Sequence, residues 1–257
     1  MDSALSFVVT ENLYVFLLIF VRFGAALMVM PGFGDFFTPK KVRLMLVLVL
    51  SFSLTGVFYQ QFPSFPNNPI TLALVLSYEF VIGILIGMMA RILFSALDVA
   101  GMIIGIQVGL ANAQIFNPGA QTQGSIVGTF LYLLGVALLF ATNLHHVMLY
   151  AIYESYSMLP PMNAPDTASM SELVVKAISH TFFVGFKIAI PFIIIGLIVY
   201  AAMGIMGRLM PQVQIFILAL PMQIYIGFLT LSFILSAAMI YWIRTVEEGM
   251  TFFLSFQ

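Results

Sequence analysis

The sequence predicts an all-α membrane protein: about six long, kinked hydrophobic helices, plus a glycine-rich half-helix that leads into a polar loop. Three observations predict it. Hydrophobic residues make up 62% of the chain and charged residues 7%, with a mean hydropathy of +1.10, whereas an average globular domain dresses its surface with about 25% charged residues. Apolar runs of about 20 residues, the length that crosses a bilayer, recur along the chain. Prolines and uncharged amides interrupt those runs, and in lipid a freed carbonyl or an amide finds no water, so protein must supply its partner.

Composition also bounds function. The 257 residues fit a single domain, residues 1–257. Net charge is −1, and the nine basic residues are scattered apart from Lys40, Lys41 and Arg43, so no surface for nucleic acid emerges. With no cysteine there are no disulfides, iron–sulfur clusters or thiolate zinc sites. The segment from Met1 to Glu11 lacks the basic start and small-residue cleavage site of a signal peptide, so the first apolar run is expected in the mature protein.

Taken in order, the long apolar runs cover residues 13–30, 42–59, 70–97, 125–150, 174–206 and 212–243. A shorter glycine-rich run, 101–116, is too brief to span. Segments 31–41, 60–69, 117–124 and 159–172 read as linkers. Lys40, Lys41 and Arg43 place the first linker in the cytoplasm and the N-terminus outside.

Several runs carry groups that an ordinary span does not. Glu79 and Arg91 flank Gly83 and Gly87, and Gly101, Gly105 and Gly109 continue the four-residue spacing. Small residues four apart share one helix face and let backbones approach closely, so these glycines read as a packing seam. Asp98, two turns beyond Arg91, cannot reach it directly. Lys187, four residues before Pro191, is an intramembrane cation that needs an interface partner. Between the last two runs, Arg208, Pro211, Gln212, Gln214 and Pro221, followed by Gln223, mark broken backbone. That backbone is either buried in an assembly or lines an aqueous path; the first half, 208–214, also reads as a simple cytoplasmic turn.

The catalytic inventory is thin. No phosphate-binding loop, H-E-x-x-H or G-x-S-x-G motif occurs, and the carboxylates are dispersed. His145 and His146, adjacent on a helix, are expected to diverge and not to share a metal. No enzyme, metal or cofactor is expected. The segment 107–124 is more informative: Gln107, Asn112, Gln114, Asn117, Gln121 and Gln123 bring amides without charge, and Asn117-Pro118-Gly119 forces a turn. The segment is either an ordinary surface connector or a wet lumen wall, in which Ile115 and Phe116 close a constriction by excluding water.

These segments, together with Arg22…Pro31-Gly-Phe-Gly34…Pro39…Arg43 near the start, resemble the FliR family, the flagellar T subunits of type III secretion export gates. Glu79-x3-Gly83-x3-Gly87 follows in the family's order, then Gly105-x-Gln107-x-Gly109 leading to Asn117-Pro118-Gly119. Asn143-x-His145, the Ser155…Pro160 region, Pro191 and Arg208-x2-Pro211-Gln212…Phe216…Pro221 complete the set along nearly the whole chain. Three positions depart: Asn117 where Asp is common, Gln214 where Asn is usual and Gln223 where a base is frequent.

The resemblance implies one copy of this chain in a right-handed helical assembly with the P and Q subunits, beside the large gate subunits A and B. It implies an inner-membrane site at the flagellar basal body, with much of the assembly above the bilayer. Unfolded rod, hook and filament proteins would pass through its centre, and a loop at about residues 106–122 would plug the closed pore. Two other readings stay open: the virulence-injectisome counterpart, and a small-solute transporter, which would show two similar halves that are not found here.

Overall fold

The computed structural model describes residues 2–59, 62–66, 68–110, 125–161, 167–210, 212 and 215–254. Those residues form seven α-helices and no strand: α1 (Asp2–Val29), α2 (Lys40–Phe58), α3 (Pro69–Gln107), α4 (Ile126–Ala141), α5 (Leu144–Met158), α6 (Thr167–Leu209) and α7 (Ile215–Leu254). Five of them (α1, α2, α3, α6 and α7) are long and apolar enough to cross a membrane, and the bent pair α4–α5 makes up to six.

The helix ends follow from local chemistry. Asn68 caps α3, accepting the Ile70 amide at its side chain (3.0 Å) and the Leu72 amide at its carbonyl (3.1 Å). Pro69 takes the first helical position, where a missing N–H costs nothing. Helix α3 then runs unbroken for 39 residues and ends as Gly109 turns left-handed at φ +81°. The half-length element expected at 101–116 is therefore, up to Gln107, the last part of α3, because one carboxylate in the sequence, Asp98, does not stop a helix.

The run expected at 125–150 is likewise divided. Asn143 adopts a left-handed conformation (φ 60°, ψ 15°), which asparagine tolerates better than most residues, and α4 and α5 bend there by 76°. The interior prolines do not end their helices. Pro191 lies within α6 and Pro221 within α7, and both helices continue through them.

The chain divides into two compact units. One comprises residues 1–92, 139–177 and 247–257, and its buried side chains include Leu18, Phe23, Ala26, Leu27 and Ile82 together with Arg22. The other comprises residues 93–138 and 178–246 and is built around the second part of α3. There Trp242 is fully buried, edge-on to Phe94 at 4.7 Å, with its indole N–H donating to the Leu93 carbonyl at 3.4 Å.

Candidate functional site

The first unit is organised on Arg22 of α1 and Glu79 of α3, both fully buried. The guanidinium grips the carboxylate with two bonds, Nε to Oε2 at 2.6 Å and Nη2 to Oε1 at 2.9 Å. Nη1 donates to Ser155 Oγ at 3.0 Å, Nη2 also donates to the Leu159 carbonyl at 2.9 Å, and the Tyr156 ring lies 3.8 Å from the guanidinium carbon. Phe58 of α2 packs against Tyr156, with ring centroids 4.7 Å apart. Two charges out of water are tolerable only when such bonds meet nearly every donor and acceptor. Here they tie α1, α3 and the end of α5 into one knot. Glu79 is engaged inside this chain and not at an interface with other chains: Arg22 bonds both of its carboxylate oxygens.

Gly83 and Gly87 explain how α1 comes so close. A Cβ on Gly83 would strike the Arg22 carbonyl oxygen and the Ala25 Cβ, and one on Gly87 would strike the Ala26 carbonyl oxygen and the Val29 Cβ. Arg91, one turn on, donates to the Val29 carbonyl at 3.1 Å and pairs with Asp35 at 3.4 Å. Asp35, buried in the loop between α1 and α2, also accepts the Gly32 amide at 2.8 Å.

The second unit holds the approach to the amide-rich segment. Gln107 is the last residue of α3, and its carbonyl accepts Nε2 of Gln223 at 2.6 Å, while Gln223 also donates to the Tyr200 hydroxyl at 3.2 Å. Gln223 is buried, in contact range of where a Cβ on Gly109 would lie, so one side chain of α7 holds both the end of α3 and the turn that follows it. A cavity of about 10 Å³, room for about one water, lies among Gln107, Gly196, Gln223 and Thr230. Gly101 meets the backbone of Gly128, and Gly105 faces Ser125, whose hydroxyl donates to the Gly101 carbonyl at 2.7 Å.

The remaining expected residues are scattered. Lys187 is exposed on α6, its ammonium 4.5 Å from the Phe183 ring and 5.6 Å from that of Tyr241. Pro191 is half-buried, whereas Arg208, Gln212 and Pro221 are exposed. Asn112, Gln114, Ile115, Phe116, Asn117, Pro118, Pro211 and Gln214 lie outside the described residues. His145 and His146 do not diverge as expected: their rings lie 4.0 Å apart at the start of α5, where the left-handed Asn143 sets the entry. Among the described residues, no three or more histidines or carboxylates gather as metal ligands.

Sequence reasoning noticed Arg22 as part of a motif but not its partner. The one available signal was that a cation interrupts the first apolar run and a carboxylate the third, and hydrocarbon forces such charges to pair.

Fold and site together define a helical membrane protein whose buried polar groups hold helices to one another. The family model described as bacterial export proteins, family 1, matches residues 13–249, and the chain belongs to that family. It is similar to the flagellar biosynthetic protein FliR of Caulobacter vibrioides, 33% identical over 248 residues that cover 96% of this chain and 99% of that one. It is similar also to the proteins of that name from Aquifex aeolicus (30% identical, covering 86% and 85%) and Bacillus subtilis (26%, covering 84% of each).

Proposed function

We propose that this chain is a non-enzymatic component of the flagellar protein export apparatus, lodged in the bacterial inner membrane, where it helps to line and seal the export channel. The observation that carries the reading is the near full-length likeness to relatives named for flagellar biosynthesis. Those names favour the flagellar apparatus over an injectisome.

The sealing role is assigned to segment 107–124, with Ile115 and Phe116 as the apolar constriction and the amides of Gln107, Asn112, Gln114 and Asn117 beside it. What supports it is the anchorage of Gln107 by Gln223, which gives the amide-rich segment a fixed point of departure. The cations Lys187 and Arg208 are assigned to contacts with P and Q subunits, and the N-terminus is placed on the periplasmic side by the basic first loop. Unfolded flagellar subunits are the cargo, and the large A and B subunits are neighbours.

The test is to purify a tagged chain from the membranes of its own host and to follow flagellar secretion in a deletion strain. Co-purification of P and Q proteins and loss of secreted hook and filament protein are expected. A chain that purifies alone, or normal secretion without it, would overturn the proposal.

A further inference from the structure

We propose that the loop joining α1 and α2 is an interfacial membrane anchor that binds an anionic lipid surface, with Phe36 and Phe37 as the inserted wedge and Lys40 and Lys41 as the headgroup contacts. The loop is built to present them. Gly32 donates its amide to Asp35, Thr38 donates its hydroxyl to the Gly32 carbonyl at 2.7 Å, Gly34 donates its amide to the Met30 carbonyl at 2.7 Å, and Arg43 donates to the Asp35 carbonyl at 3.2 Å. Arg91 holds the Asp35 carboxylate from α3. The loop turns Phe33 inward onto Phe140, edge-on at 5.6 Å, and leaves the other two aromatics outside: Phe36 stands 96% exposed with Phe37 edge-on to it at 5.5 Å.

An aromatic pair fixed in that posture needs an apolar medium, and two observations identify it as lipid. The membrane-length stretches on either side end at Val29 and begin again at Lys40, so by continuity the loop lies where hydrocarbon meets water. The charge is also one-sided. Lys40 and Lys41 are exposed in the first turn of α2, no acidic residue shares that turn, and Asp35 is buried and already bonded. Cations at a helix N-terminus face the positive end of its dipole, so the fold itself disfavours them there; an external anion reverses the sign. Aromatic insertion beside lysines that reach phosphate is how interfacial anchors hold an anionic leaflet.

The proposal is tested with the full chain and the proteins that purify with it, in nanodiscs of mixed phosphatidylglycerol and phosphatidylcholine. Phe36→Trp adds a reporter, and the parent chain, whose one tryptophan is the buried Trp242, sets the baseline. Bromine placed on shallow acyl carbons of either lipid should quench the new tryptophan, with a several-fold preference for brominated phosphatidylglycerol. Adding Lys40→Ser and Lys41→Ser should keep the quenching and abolish the preference. Absence of quenching by either lipid would mean that protein covers the loop, and an equal response with and without the lysines would mean that no anionic surface is read; either overturns the proposal.

Discussion

Arg22 and Glu79 show what a single charge costs inside such a chain. Neither side chain is exposed, and each is kept by the other. Glu79→Gln preserves the shape but leaves the Arg22 cation uncompensated, a loss expected at about 3–5 kcal/mol. Replacing both, as Arg22→Met with Glu79→Leu, removes the charges together and should cost less than the single change. Thermal unfolding of the purified chain in detergent measures the difference; a larger loss for the double variant than for Glu79→Gln would overturn this account of the pair. The sequence displayed each residue and hid the pairing, because 57 positions separate them and only the packing of α1 on α3 closes that distance.

At the scale of the element, glycines decide which helices can touch. A side chain at position 101 would occupy the backbone of Gly128, and backbone cannot turn aside as a side chain can. Gly101→Leu is therefore expected to lower stability by about 1–3 kcal/mol or more. Gly204 has nothing within 4 Å, and Gly204→Ala should be neutral or slightly stabilising through helix propensity. Unfolding midpoints of the two variants compare these directly, and an equal response would remove the argument from close approach.

Helix α6 raises a different question. Its 43 residues extend about 65 Å, twice the hydrocarbon thickness of about 30 Å. Residues 188–207 carry no charge, and Lys187 and Arg208 bracket them, so this 20-residue stretch is long enough for one crossing by itself. Alanine at Lys187 or Arg208 should reduce co-purification with P and Q proteins if those chains satisfy the cations. Normal yield would leave both as charges that set topology.

For the whole molecule, the decisive property is leak. If Ile115 and Phe116 seal the channel, changing both to glycine should raise ion or small-molecule conductance while the assembly still forms. Conductance in the resulting complex, measured in planar bilayers, checks this; an unchanged seal in an intact assembly would remove these residues from the role. The anchoring amide Gln223 was visible in the sequence only as an oddity inside an apolar run. Its hold on Gln107 spans 116 positions and depends on α7 packing beside the end of α3.

The sequence by itself determined the medium and the material: so apolar a chain has to be helical in lipid, and its breaks have to be satisfied by protein. It also supplied the family, through motifs kept in order along the chain. The tertiary structure alone decided that α3 runs on past Asp98, that the span at 125–150 breaks at Asn143, and that Glu79 belongs to Arg22. The physical reason is one of range. Hydropathy and helix signals are written in neighbouring residues, whereas the partner of a buried charge is chosen by which helices pack together.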